Sequence, residues 1–171
     1  ISHFYQVLAR NMRDLGSPVH SRKWFESVRS QFGEQVLVGV VYKEHIPCAA
    51  GIVLLLPGVA AIPWASTVAR YNRLAPNMML YWNMLKSATD RGCRYFDFGR
   101  SSYGEGTFRF KKQWGARPVA LDWSIYDASG SKKVVATRGG TLRRLVESVW
   151  RTLPLGLANA AGPKVRKFIS L

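Results

Sequence analysis

"YFDFGRSSYGEGTFRFKKQWGARP", residues 95–118, decides how the rest of the chain is read. Tyr95 to Gly99 reads as a strand. Glycines and the adjacent Ser101 and Ser102 follow as a turn. Ser102 to Glu105 has the S-x-x-E spacing of a capping box, and so predicts a helix starting there. Thr107, Phe110 and Trp114 share one face of that helix, and Gly115 ends it. An apolar strand, a Gly-rich turn and a cationic, aromatic helix in that order can present backbone amides and cations to an anion.

Upstream, Phe4, Leu8, Met12 and Leu15 recur at helical spacing until Gly16 and Pro18. Ser21 can cap a second helix, with Trp24 or Phe25, Val28 and Phe32 on its apolar face and Gly33 at its end. Three strand-like runs follow: Val36 to Lys43, Cys48 to Leu56 and Ala60 to Thr67, with a Pro57-Gly58 turn after the second. Their short links predict an antiparallel meander. Pro76 opens the next helix, where its missing N–H costs nothing. Met78, Tyr81 or Trp82, Leu85 and Ala88 are its expected inner face, and Gly92 closes it. Downstream of the quoted stretch, Val119 to Tyr126 alternates as a fifth strand, with Leu121, Trp123 and Ile125 on one side. Residues 1–127 are thus expected to form one module, and 128–171 a basic helical extension packed on or near it. In that tail Leu142, Leu145 and Val149 should pack inward with the arginines outward. Pro154 should break the helix, and Pro163 should precede a last short basic segment.

The 171 residues are 47% hydrophobic, enough for one globular domain burying roughly 70% of its unfolded surface. The formal net charge of +15 favours polyanions: nucleic acid, anionic lipid or phosphorylated substrates. Cys48 and Cys93 make no CxxC pair and no disulfide framework, so they read as small apolar residues in a reducing compartment. His3, His20 and His45 have no metal-ligand spacing. No Ser-His-Asp order or carboxylate pair is visible. The longest apolar run, Ile46 to Pro63, carries prolines and a glycine turn and is β-rich, so it reads as strands rather than a membrane span. Stable membrane insertion is not expected. The expected location is cytoplasmic, with peripheral attachment at the inner membrane face as the alternative. The chain enters a helical pattern directly at Ile1, as a piece of something longer would.

The order helix, helix, three strands, helix, strand, helix, strand is that of the GNAT acyltransferase core after its first strand. "FDFGRSS" followed by "GTFRFKKQWGA" resembles the FemAB-like branch of that superfamily, whose C-terminal module carries F-K-x-x-(F/W)-G, here Phe110 to Gly115. "RDLGSPVHSRKWF", "IPWASTVARYNRLAPNMMLYW" and "LPLGLANAAGP" look more narrowly like FemAB-related proteins associated with PEP-CTERM/exosortase systems. The resemblance implies an α+β, GNAT-type mixed, mainly antiparallel sheet flanked by helices, with a basic helical tail. It also implies N-acyl transfer to an amine of a cell-envelope or exopolysaccharide-related substrate. Such proteins usually carry two modules in tandem, so it implies an N-terminal GNAT-like partner module of the same chain. The donor stays open between aminoacyl-tRNA and acyl-CoA.

Ordinary GNAT enzymes hold pyrophosphate on main-chain amides spelt R-x-x-G-x-G/A. The matching stretch here is Arg70 to Ala75, with Arg73 where the first glycine belongs. A side chain there would crowd a backbone that must approach phosphate, so no tightly bound cofactor is expected.

By the resemblance, Lys111 is the catalytic candidate, stabilising charge on the transferred carbonyl. The plain alternative is a solvated lysine, as expected for Lys112. Arg100 and Ser101, at the C-terminal end of the strand, could hold a phosphate or carboxylate, and Arg109 joins them as a substrate-side cation. Asp97 is expected to be buried against Arg100 or a lysine, in a structural role. Trp64, Ser66, Tyr71, Asn72 and Asn77 outline a cleft wall, though each taken singly reads as packing or capping. Anionic substrate or tRNA are the expected partners. Two other readings stand: an acyl-CoA-dependent N-acetyltransferase, and a non-catalytic basic module that docks tRNA or another polyanion.

Overall fold

The structure is a computed structural model describing residues 1–122, 124–126, 130, 132–133, 141–166 and 168. The chain forms two compact units, Ile1–Gly99 with Val146–Leu171, and Arg100–Leu145.

The first unit is built on a four-stranded sheet in the order β1-β2-β3-β4. Strands β1 (Val36–Lys43), β2 (Ile46–Leu56) and β3 (Val59–Thr67) form the expected antiparallel meander, while β4 (Tyr95–Asp97) lies parallel to β3. The sheet is therefore mixed, and helices cover it as the α+β reading expects. Helix α1 (Ser2–Asp14) buries Phe4, Val7 and Leu8, residues three and four apart, and packs across β2 and β3. Helix α2 (Arg22–Phe32) is capped by Ser21, whose Oγ accepts the Trp24 N–H at 3.1 Å. Only Phe25 of its apolar set is fully buried. Its ring meets that of Phe4 edge-on at 5.1 Å. Removing the Phe25 ring would cost about 3–5 kcal/mol.

Helix α3 (Pro76–Asp90) covers the opposite face, against β1 and β2. Gly39 and Gly51 make this close approach possible. A Cβ on either would lie 2.8 or 3.0 Å from the Met84 methyl. The buried face of α3 is Leu80, Tyr81, Met84 and Ala88, rotated from the expected one. Tyr81 rather than Trp82 points inward, and Met78 and Trp82 are exposed. Apolar residues lie all round this helix, so periodicity alone could not choose the stripe.

Val68 leads into a 3-10 turn, Ala69–Leu74, and the left-handed Ala75 then precedes Pro76. After β4 the first unit resumes at Val146, inside α5 (Thr141–Thr152), and continues into α6 (Leu155–Arg166). The Arg13 guanidinium pairs with Asp14 at 2.8 Å and donates to the carbonyls of Arg151 and Leu153 at the end of α5. That is where a cation best meets the helix dipole. Helix α6 packs on α1 and brings Gly162 against the Val19 backbone. Pro154 does separate two helices. Pro163, by contrast, lies inside α6, which gives up one helical hydrogen bond there. The expected packing face of α5 is also corrected: Leu145 and Val149 are exposed. The side chain of Leu142 lies outside the described residues.

The second unit contains helix α4 (Gly106–Gln113) and a ribbon of β5 (Ile125–Tyr126) and β6 (Lys132–Lys133). Two expectations fail here. The capping box does not form: α4 starts four residues after Ser102, with Glu105 at its N-cap and no side-chain cap. Residues 119–122 are not strand, and Val119 and Leu121 are exposed. Alternation describes a strand's faces but supplies no neighbour to pair with. Trp123 lies outside the described residues.

Candidate active site

In the first unit, the sheet opens at one point. β3 pairs with β4 only over Val59–Ala61, then runs on to Thr67 beside β2. At that point Val53 of β2 faces two residues of β3, Ile62 and Pro63. A proline cannot donate to a ladder, and a bulge is one of the few places a sheet tolerates it. On the other strand, Asp97 Oδ1 accepts the Gly99 N–H at 2.7 Å, and Gly99 adopts φ +69°. This short side-chain turn ends β4. A bulge on one strand and a turn on the other thus separate them. Among the described residues, Ile62–Thr67 has no strand on that side. The sequence signal was Pro63, a proline inside a strand pattern.

The expected cleft residues fall on consecutive elements of the first unit: β3, the 3-10 turn and the start of α3. Trp64 and Ser66 lie on the unzipped part of β3. Trp64 is half-buried among aromatic rings, edge-on to Trp24 at 5.2 Å and to Phe25 at 5.4 Å. The Ser66 hydroxyl is buried and accepts from Asn11 Nδ2 at 3.1 Å, so it ties β3 to α1. Tyr71 packs on the core and carries the Arg70 guanidinium over its ring at 4.7 Å. Asn72 is exposed, and its carbonyl accepts the Ala75 N–H. Asn77 sits in the first turn of α3. Asp97 is exposed rather than buried. Its position at the last residue of β4 lets solvent and the Gly99 amide solvate the charge, so no cationic partner is needed there. Tyr81 was read as core alone, but its ring also stacks on Phe98 at 5.8 Å just past β4. Burial pushes its phenol pKa up.

The turn that stands where ordinary GNAT enzymes cradle phosphate spends its amides internally. Tyr71 N–H donates to Val68 and Ala75 N–H to Asn72, and the 3-10 pattern uses those between. Arg73 has a negative φ, as the only non-glycine residues with positive φ are Glu44 and Ala75 among the described residues. The backbone at Arg73 thus suits any residue, and what its side chain changes is access. Pro76 removes one further donor from the start of α3.

In the second unit, three of the expected residues do meet. Lys111 Nζ donates to the Arg100 carbonyl at 2.7 Å, and Ser101 Oγ donates to the same oxygen at 2.8 Å. Lys111 is half-buried, whereas Lys112 and Arg109 are exposed. The two adjacent lysines therefore differ in surroundings, as the helical geometry of the motif predicts. Phe110 of α4 and Trp114, the residue that caps its end, lie edge-on with ring centroids 6.3 Å apart. Among the described residues no group of three or more His, Cys, Asp or Glu is placed to hold a metal, and no helix is long and apolar enough to cross a membrane.

The family described as "Acetyltransferase (GNAT) domain" matches residues 2–112. The chain belongs to the GNAT acetyltransferase family. No curated protein matches the GNAT chain described here. Its fold is similar to the ribosomal-protein-S18-alanine N-acetyltransferase of Escherichia coli, at TM-score 0.59 and 16% identity over 77% of this chain and 81% of that one. A Trypanosoma brucei acetyltransferase aligns at TM-score 0.54 and 14% identity, over 70% and 92% of the two chains. An aminoglycoside 6'-N-acetyltransferase of Acinetobacter baumannii aligns at 0.52 and 17%, over 73% and 95%. At these identities the likeness establishes the fold alone.

Proposed function

We propose that this GNAT protein transfers an acyl or aminoacyl group to an amine of a cell-envelope or exopolysaccharide-related substrate, as one half of a two-module, FemAB-like enzyme. The observation that carries the reaction class is the opening of β3 from β4 at the Ile62–Pro63 bulge. A strand edge left without a partner offers main-chain N–H groups to a substrate carbonyl, and such fixed donors stabilise an oxyanion as it develops. Family membership supports acyl transfer to an amine. The FemAB-like branch, the envelope substrate and the second module rest on the motif Phe110 to Gly115 and its flanking stretches.

Lys111, in the second unit, is the catalytic candidate that the motif resemblance supplies: a cation able to stabilise negative charge developing on a carbonyl. Its hydrogen bond to Arg100 would hold the ammonium in place. The donor is aminoacyl-tRNA, or another donor that does not need an amide cradle at residues 70–75. The internal hydrogen bonds of the 3-10 turn, the Arg73 side chain and Pro76 all support that choice. Calorimetric titration with acetyl-CoA is the test. The expected result is no binding tighter than millimolar, and a micromolar Kd would overturn the donor assignment. Thermal shifts against acyl-CoAs and aminoacyl-tRNA mimics then identify the donor, since a true ligand in excess stabilises by a few kcal/mol.

A further inference from the structure

Helix α5 is packed the opposite way round from a helix in a globular core. Leu145, Val146, Val149 and Leu153 recur at three- and four-residue spacing and make one apolar stripe. Arg144, Glu147, Ser148 and Arg151 take the other side. Yet it is the polar side of α5 that meets the turn after α1. The Glu147 carbonyl oxygen and Cβ stand 2.6 and 3.0 Å from where a Cβ on Gly16 would lie. At about 100° per residue, Leu145 and Val149 each sit about 160° round the helix from Glu147. The apolar stripe therefore turns away from that contact. Leu145, Val146 and Val149 are 62%, 55% and 57% exposed.

The charge of this part of the chain is equally one-sided. Residues 128–171 hold nine Lys and Arg against one acid, Glu147, a net 9 − 1 = +8 of the formal +15 in about the last quarter of the sequence. No Asp or Glu follows Glu147. Arg144, Arg151 and Lys164 are exposed. An exposed apolar stripe on a helix with a cationic polar side is the pattern of a helix that lies in the headgroup layer of a membrane, apolar side down. Each Lys or Arg held near an anionic surface strengthens such binding about fivefold. The stripe from Leu145 to Leu153 is about 12 Å long, and no helix among the described residues is long and apolar enough to cross a membrane. The helix would therefore lie along the surface.

We infer that α5 docks the protein on a membrane surface rich in anionic lipid, with Leu145, Val146 and Val149 seated between the headgroups. A second copy is a poor occupant, because two chains of +15 repel each other. A protein partner would have to ring an apolar groove with acids, whereas an anionic bilayer supplies apolar depth and spread negative charge together. This docking surface is independent of the acyl-transfer reading, and either could fail without the other.

The test is vesicle flotation of the 171-residue chain, with vesicles of phosphatidylcholine alone or of phosphatidylcholine mixed with phosphatidylglycerol. Binding to the mixed vesicles should be at least about tenfold tighter and should weaken as salt rises. Val149→Asp and Trp82→Asp change the net charge equally, each at an exposed residue, the second on α3. Val149→Asp should weaken binding by about tenfold, as expected for a carboxylate placed among seated apolar side chains, and Trp82→Asp by less than about twofold. Leu145→Asp is a second variant of the stripe and should behave as Val149→Asp does. Melting temperatures matched to wild type establish that the variants are folded. Equal losses in the stripe variants and Trp82→Asp would mean that net charge alone binds, and would overturn the role of α5. Equal binding to neutral and anionic vesicles would overturn the choice of lipid. Flotation with neither vesicle, or a dimer in sedimentation that Val149→Asp dissolves, would give the stripe to a protein and overturn the inference.

Discussion

Replacing Gly16 by alanine should destabilise the protein more than any other single methyl added at a left-handed glycine of the first unit. Gly16 follows α1 with φ +76°, and an L-residue there costs roughly 1–2 kcal/mol by itself. A Cβ at Gly16 would also lie 2.6 Å from the Glu147 carbonyl oxygen and 3.1 Å from its carbon. Those are backbone atoms of α5, so no side-chain rotation relieves the contact. Ordinary contact begins at 3.4 Å, so α5 must move by 3.4 − 2.6 = 0.8 Å. The Arg13 bonds to the end of α5, already 3.4 and 3.3 Å long, would then stretch further. Overpacking of this kind adds about 1–3 kcal/mol. Gly58 is the control: its φ is +74°, and its added Cβ meets nothing within 4 Å. Gly58→Ala should therefore show the backbone cost alone, and Gly16→Ala should exceed it by about 1–3 kcal/mol, or about 2–12 °C in Tm for a chain of this size. Thermal and urea unfolding of the two variants, followed by circular dichroism, measure the difference. Equal losses would refute the close approach of α5 to the end of α1.

Lys111→Met should lower turnover by about 10²-fold in the protein with its partner module, the usual loss of one oxyanion donor, and Lys112→Met much less. Equal turnover in wild type and Lys111→Met at matched stability would sink the catalytic role. Equal, small, salt-sensitive losses of tRNA binding in both variants would instead favour a polyanion-docking module. A pH effect is expected at His20. Its ring stacks on Trp24 at 4.5 Å, and its Nε2 accepts from Arg166 Nε at 3.3 Å, which requires the neutral imidazole. Burial, and then the Arg166 charge, lower its pKa below 6.5. The unfolded chain thus binds this proton first, and stability should fall as pH drops below about 6.5. Melting curves from pH 8 to pH 5 for wild type and His20→Gln check it: that part of the pH slope should vanish in the variant.

Much of the first unit was legible because its signals are local. Ser21 caps α2, Pro76 opens α3, and Val36 to Lys43 begins and ends as a strand where its apolar run does. A cap, a proline and a two-residue period each act within a few residues, so they survive the loss of all tertiary information. Trp64 and Ser66 lie on β3, Tyr71 and Asn72 in the 3-10 turn and Asn77 in the first turn of α3, as the run of local signals along the chain predicts. What the local pattern lacked was any statement of partnership. The stripe of α3 that turns inward was chosen by Gly39 and Gly51, glycines more than 30 residues away that let Met84 approach the sheet. Val119 to Tyr126 alternates as a strand should, but residues 119–122 are not strand, because hydrogen-bonding neighbours come from topology. Ser102 has the spacing of a cap, yet the helix begins at Gly106, since a short side chain caps only where the chain path delivers it. Asp97 meets solvent because β4 ends on it. The separation of β3 from β4 needed both sequence and tertiary structure. Pro63 announced a defect in a strand, and only the assembled sheet, with β2 on one side and β4 turning away on the other, made that defect an opening.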